Sequence, residues 1–226
     1  MKTRSFCAAL LLAPSLVSAQ MTLVETGGTF RTDATNLALS ATPKSDGDYG
    51  GGVHYAVNIN DGNYGNASSW LGSAGMFYGS IALGFSTPVT LGSVAFGRDN
   101  TGGLADRATG PYEIYYSTNY VSGANVYGYT NWHLLQILDY ASSPPESPAL
   151  RHLYNFATPL TNVTGFMISV PSFLNPDGYA AMAIDEIELY ATTATAPSAV
   201  PEPSTYAALL AAAALCATAI RRRMAQ

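Results

Sequence analysis

Ile184-Asp185-Glu186-Ile187-Glu188-Leu189-Tyr190 decides how this chain folds. Its apolar residues Ile187 and Leu189 alternate with Glu186, Glu188 and Tyr190. A period of two, rich in β-branched and aromatic side chains, predicts a strand with one face in a core and the other face in water.

The same signature recurs upstream. Val53 to Ile59 alternates at Val53, Tyr55, Val57 and Ile59. Phe77 to Phe85, Val89 to Phe96, Trp132 to Leu138 and Leu153 to Phe156 are short apolar runs. Tyr112 to Tyr116 and Phe166 to Val170 alternate again, with Gly- or Pro-bearing turns between most of these segments. Nothing between residues 20 and 199 shows a long helical period, and no internal repeat is present. About eight short strands imply an all-β protein, an antiparallel jelly-roll β-sandwich. Residues 20–52 are weakly patterned, and Lys44 to Gly52 reads as a loop.

From the end of the first predicted strand toward the second runs Asn58-Ile59-Asn60-Asp61-Gly62-Asn63-Tyr64-Gly65-Asn66-Ala67-Ser68-Ser69-Trp70. It is dense in short oxygen-bearing side chains, with glycines for tight turns. Such a loop can wrap a hard cation. If the first and last strands lie side by side, Glu186 closes the cage from the other end of the chain. A plain hairpin loop beside a charged strand edge explains the same residues equally well.

The order of these segments resembles the galactose-binding-like, discoidin-type β-sandwich superfamily over residues 53–190. The resemblance is carried by Asn60-Asp61-Gly62-Asn63 with Ser68-x-Trp70, by Val94-Ala95-Phe96-Gly97-Arg98-Asp99-Asn100, by Tyr112-Glu113-Ile114-Tyr115-Tyr116-Ser117 followed by Trp132, by Gly165-Phe166-Met167-Ile168, and by Asp185-Glu186-Ile187-Glu188-Leu189-Tyr190. It implies an eight-stranded jelly roll that binds glycans, lipids or proteins through loops at one end, often with a structural Ca2+. On that mapping Asp61, Asn63, Ser68 and Glu186 fall at the metal ligands, and Glu188 is an ordinary strand acid. The loop between Asn63 and Ser68 is longer than the family's usual one, and the disulfide that often joins its termini is absent. Arg98, Asp99 and Trp70 are candidate ligand contacts, weighed against a surface ion-pair network and a core tryptophan. The six tyrosines from Tyr112 to Tyr129 suit saccharide contact or sheet packing alike.

The ends of the chain read as addresses. Lys2 and Arg4 precede an apolar run, Phe6 to Val17, and Val17-Ser18-Ala19 is a small-residue cleavage site. Residues 1–19 are therefore expected to be a secretory signal peptide cut between Ala19 and Gln20. Ala191 to Ala199 is a low-complexity linker. Pro201 and Pro203 keep the tetrapeptide around Glu202 extended. The apolar run 204–220 then spans 17 residues, roughly 25 Å as a helix at ~1.5 Å per residue, the short end for crossing a bilayer. Arg221, Arg222 and Arg223 follow it as a cytoplasmic stop. The order Pro201-Glu202-Pro203, apolar helix, arginine cluster resembles the bacterial PEP-CTERM sorting signal, here residues 200–226. That resemblance implies an exosortase as partner and passage through the inner membrane. It also implies a final place at the cell surface or outside, in a Gram-negative source that makes exopolysaccharide.

Between residues 20 and 199 there are five Lys/Arg against fourteen Asp/Glu, a net charge of −9. This argues against nucleic acid or anionic lipid as partners. Cys7 and Cys216, the chain's two cysteines, lie in the signal and the anchor, so the domain between them holds no disulfide. His54, His133 and His152 stand apart, without a Gly-x-Ser-x-Gly turn or a His-Glu-x-x-His pair. The reading is a non-catalytic domain that binds a polysaccharide. A purely structural spacer is the alternative, and a small glycan hydrolase using the Asp185, Glu186 and Glu188 carboxyls is a second one.

Overall fold

The structure, a computed structural model, describes residues 20–49, 52–73, 78–100, 107–108, 110–126, 129–140, 150–171 and 182–193. Backbone proximity divides the chain into Met1–Ala194 and Thr195–Gln226, and the described residues all lie in the first unit.

Among the described residues nine strands form: β1 (Met21–Thr26), β2 (Thr42–Ser45), β3 (Trp70–Leu71), β4 (Gly79–Gly97), β5 (Pro111–Ser117), β6 (His133–Asp139), β7 (His152–Val170), β8 (Ala183–Ile184) and β9 (Glu186–Tyr190). Every pairing among them is antiparallel. Two 19-residue strands, β4 and β7, pair along their length and bend together, so each belongs to both layers. One layer runs β2-β4-β7-β5-β6 through residues 79–84 and 165–170. The other runs β1-β7-β4-β9 through residues 152–156 and 93–97. A two-strand ladder of β3 and β8 stands beside them.

The bend has a sequence cause. The β4–β7 register shifts between Gly84 and Val89 and again between Leu91 and Ser93. Bulges of this kind bend a strand and tolerate the missing donor of a proline such as Pro88. The Ser86-Thr87-Pro88 corner predicts a break between two strands; the ladder absorbs it, and one strand results. Leu153–Phe156 and Phe166–Val170 are likewise two halves of β7.

The core lies between the layers. Ile81, Leu83, Ile114, Phe166 and Ile168 from the first meet Val94, Phe96, Tyr154, Phe156, Ile187 and Leu189 from the second. Phe96 stacks on Tyr112 and Tyr154 at ring-centre distances of 5.8 and 6.0 Å, and Tyr140 meets Tyr112 edge-on at 5.2 Å. Each fully buried side chain of this size contributes about 1.5–3 kcal/mol.

Two expectations fail here. Val53–Ile59 is not a strand: Ala56–Asn60 is a 3-10 turn, with Ile59 buried while Val53, Tyr55 and Val57 are 52%, 45% and 62% exposed. No neighbouring strand pairs with this segment, so its alternation has no ladder to join. Lys44 and Ser45, expected in a loop, close β2 against Ala82 and Ile81. The partner β4 supplies the hydrogen bonds that local propensity does not signal.

Candidate functional site

Three acids in and just before β9 hold the 61–65 loop from beneath. Asp185 Oδ2 accepts from the Gly65 amide at 2.8 Å, Glu186 Oε2 from the Gly62 amide at 3.1 Å, and Glu188 Oε1 from the Tyr64 hydroxyl at 3.2 Å. Gly62 (φ 80°) and Gly65 (φ 138°) adopt left-handed backbone that turns both amides toward β9. Within the loop, Asp61 Oδ1 accepts from the Asn63 amide at 2.9 Å, and the Ser68 side chain also hydrogen-bonds the Asp61 carboxyl. Asp61, Asn63, Ser68 and Glu186 thus meet in one place, although Asp61 and Glu186 lie 125 positions apart.

Glu186 is completely buried, and its Oε1 has no hydrogen-bond partner among the described residues. Burial pushes its carboxyl up to about 9, the nearby Asp61 and Glu188 add to that, and the Gly62 amide opposes it. An orphaned buried carboxylate oxygen is costly unless a cation or proton meets it. No group of three or more His, Cys, Asp or Glu side chains able to hold a metal occurs among the described residues. A cation here would therefore rest on two carboxylates plus neutral oxygens, a donor set that suits a hard ion such as Ca2+.

Glu188 is not an ordinary strand acid. It is completely buried, and it pairs with Arg151 Nε at 2.5 Å. It also accepts from the Arg31 amide at 3.0 Å and from the Tyr190 hydroxyl. The predicted solvent face of β9 is covered because the segment before β2 lies along its edge. Asn36, 1% exposed, accepts the Leu189 amide on its side-chain oxygen at 3.0 Å, where a further strand would otherwise sit.

The three candidate ligand contacts all point inward. Arg98 is 1% exposed and pairs with Asp185 Oδ1 at 2.6 Å. Asp99 is 3% exposed. Burial raises the Asp185 carboxyl to about 6, against the pull of Arg98. Trp70 is fully buried, and its indole N–H donates to Gly47 O at 3.3 Å and Asp48 Oδ1 at 3.0 Å. It braces a loop and offers no face to a sugar.

What that brace presents is a patch the sequence reading passed over. Tyr49, 40% exposed, is tied through its amide to Leu71 O at 3.0 Å; Tyr55, Val53 and Val57 are exposed on the following turn. Asn58 Nδ2 donates to Val53 O and, at 2.8 Å, to Ser69 O, while His54 Nδ1 contacts Ser69 Oγ at 2.8 Å. The Ser69 hydroxyl is buried, so this His–Ser pair is a strut with no reachable nucleophile. The sequence carries no signal for it, because the alternation of Val53, Tyr55 and Val57 reads as a strand and only the missing partner puts these side chains on the surface.

The expected cleavage site lies at the boundary of the described residues, with Gln20 inside and Ala19 outside. Pro201, Glu202, Pro203, the 204–220 run and Arg221, Arg222 and Arg223 lie outside them. No helix among the described residues is long and apolar enough to cross a membrane.

Residues 199–223 match the family model described as the PEP-CTERM protein-sorting motif. Comparison with curated proteins gives no match. Solved structures share the sandwich. A chitosan-binding module 1 from the chitosanase/glucanase of Paenibacillus sp. IK-5 aligns with TM-score 0.51 and 20% identity, covering 69% of this chain and 98% of the module. A fucolectin from striped bass (Morone saxatilis) serum aligns with TM-score 0.53 and 16% identity over 69% of this chain and 48% of the lectin. The family 32 carbohydrate-binding module of C. perfringens NanJ, solved with galactose, gives TM-score 0.50 and 16% identity over 75% and 98%. The chain therefore carries a PEP-CTERM protein-sorting motif behind a β-sandwich of the discoidin-type, galactose-binding-like fold.

Proposed function

We propose that the protein is exported, is sorted by an exosortase through its C-terminal motif, and holds a glycan at the cell surface or outside it without catalysing a reaction. The observation that carries the reading is the braced patch of Tyr49, Val53, Tyr55 and Val57. Its rings are exposed while Trp70, Asn58 and Ser69 fix the backbone beneath them. Exposed tyrosines on a rigid loop suit the apolar faces and hydroxyls of a saccharide. The neighbours named for chitosan and solved with galactose share the fold that presents such loops.

Strand polarity fits this use. Glu186 sits opposite Gly97 at one end of β4, and Tyr190 opposite Ser93 beside the bend. The chain leaves at the bend, where Ser93 Oγ donates to Thr192 O at 2.9 Å. The 61–65 loop sits at the other end. A structural Ca2+ held by Asp61, Asn63, Ser68 and Glu186 would stiffen that end.

A glycan array probed with the full-length protein in detergent, calcium present, is expected to return a saccharide whose affinity falls up to about tenfold in Tyr49→Ala or Tyr55→Ala. Retention of no glycan would leave the spacer alternative, and turnover of the retained glycan would favour the hydrolase. Sorting is tested separately. Changing Pro201-Glu202-Pro203 to three alanines should leave export intact but strand the protein, uncut, in the inner membrane. Fractionation and mass of the product read this out; normal maturation of the variant removes the exosortase from the account.

A further inference from the structure

Among the described residues, the outer face of the first layer is packed over along one row and only half-buried along the next. In the covered row, Lys44, Ala82, Met167, Tyr115 and Leu134 are register neighbours across five strands. Tyr120, Val126, Tyr129 and Trp132 pack onto Ala82 and Met167 as an aromatic flap. Tyr120 and Trp132 lie 4.9 Å apart, and Tyr120 and Tyr129 meet edge-on at 5.1 Å. The flap approaches so closely that a Cβ on Gly165 would stand 2.7 Å from Tyr120 Cβ. The six-tyrosine stretch noted in the sequence therefore serves largely as packing, and it builds a wall.

Below that wall runs a row the flap does not cover: Asp46, Ser80, Ser169, Glu113 and Ile137, again register neighbours. Ser80 and Ser169 join hydroxyls at 2.9 Å to form the floor. Asp46 accepts from Ser80 at one end, and Glu113 is oriented at the other by the Tyr115 hydroxyl, 2.6 Å away. Opposite the flap, Tyr78 (44% exposed) and Pro171 complete a notch of about 270 Å³ around Asp46 and the serines. With strands ~4.8 Å apart, the two carboxylates stand roughly 14 Å from each other across the sheet. Neither forms an ion pair among the described residues; Lys44, on the neighbouring row, is exposed and pairs with neither.

The geometry points to a second ligand face: this groove takes a linear saccharide bearing free ammonium groups, laid across the strands from Asp46 to Glu113. It rests on the glycan-binding reading above and adds a place and a chemical class to it. The hydroxyl floor matches sugar hydroxyls, the Tyr78 ring offers a flank for a pyranose, and each carboxylate accepts an ammonium in a charge-assisted hydrogen bond. A neutral sugar would leave both carboxylates without that partner. An anionic one would meet the repulsion of a domain carrying a net charge of −9.

Titration calorimetry of the full-length protein in detergent tests this with three probes: a glucosamine tetramer, its fully N-acetylated counterpart, and cellotetraose. The glucosamine tetramer should bind at least tenfold tighter than the other two and weaken as salt is raised. Asp46→Asn and Glu113→Gln should each cost about tenfold. Ser169→Trp should fill the floor and abolish binding, with melting curves confirming that the variants fold. Leu23→Ala, at an exposed position of β1 in the other layer, should leave this binding unchanged. Equal affinity for all three probes, or an Asp46→Asn/Glu113→Gln protein that binds as the parent does, overturns the inference. An array glycan that survives Ser169→Trp but is lost with the tyrosine variants overturns the groove and leaves the glycan-binding reading standing. Retention of nothing by either face overturns both.

Discussion

Replacing Glu188 by glutamine is expected to lower the melting temperature of the sandwich by about 6–20 °C. The estimate combines the ~3–5 kcal/mol cost of breaking a buried ion pair from one side with ~2–4 °C per kcal/mol for a domain of this size. Both partners are out of water: the Glu188 side chain is 0% and the Arg151 side chain 2% exposed. Burial works against the Arg151 cation, but Glu188 outweighs it and holds the guanidinium firmly protonated. With the carboxylate gone, the remaining acid near Arg151 is Glu25, 3.6 Å away with a side chain 33% exposed. The Arg31 amide, the Tyr64 hydroxyl and the Tyr190 hydroxyl lose a charged acceptor at the same time. The double variant Arg151→Met/Glu188→Leu should fall less than the two single changes added together, because it leaves no uncompensated charge. Thermal melts followed by tryptophan fluorescence measure the parent, Glu188→Gln, Arg151→Met, Glu188→Leu and the double variant. A Glu188→Gln melt within a degree or two of the parent would show that the pair is not a keystone of the fold.

The same residue shows where pattern reading succeeds and where it stops. Alternation in β5 and β9 is real, and the inward residues Ile114, Ile187 and Leu189 are in the core. Alternation also predicts that Glu186 and Glu188 face water. They do not, because the layer containing β9 is covered on its far side by residues 27–38 and by the 61–65 loop, segments whose own sequences carry no strong period. A two-sided burial of acids is a tertiary fact, since each acid is matched by an amide or guanidinium more than 30 positions away. The Val53–Ile59 segment fails in the opposite sense: it has the period without the partner strand, and Val53, Tyr55 and Val57 end up on the surface while Ile59 alone is fully buried. β1 and β2 escape notice because long-range pairing to β7 and β4 defines them, not their composition. The closeness of Asp61 to Glu186 was implied by the family resemblance and not by the residues themselves, which left a plain hairpin loop beside a charged strand edge equally open. A core place for Trp70 stood among the sequence readings; the inward turn of Arg98 and Asp99 did not, since exposure is decided by the loops that close over a residue.

The acid next to Glu188 should behave in the opposite way. Adding calcium to the full-length protein in detergent, against a chelator, is expected to raise the melting temperature by about 5–10 °C. A ligand at a hundredfold excess over its dissociation constant stabilises by ~2.7 kcal/mol if it binds the folded state alone, and the conversion is again ~2–4 °C per kcal/mol. The motive is Glu186 Oε1, buried without a hydrogen-bond partner beside Asp61. An ion there relieves a cost that the protein otherwise carries. Glu186→Gln keeps the shape and still accepts the Gly62 amide, but it cannot ionise to meet a cation. Its melt in chelator should equal or exceed the parent's, and the calcium increment should vanish. Glu188→Gln should do the reverse, lowering the melt in both conditions while keeping the increment. This crossed pattern separates a cation site from general stiffening of β9, because a loss of packing lowers the baseline without selecting between the two acids. A parent protein that melts identically in calcium and chelator refutes the site. An increment that survives Glu186→Gln places the ion away from Glu186 and refutes the site assigned here.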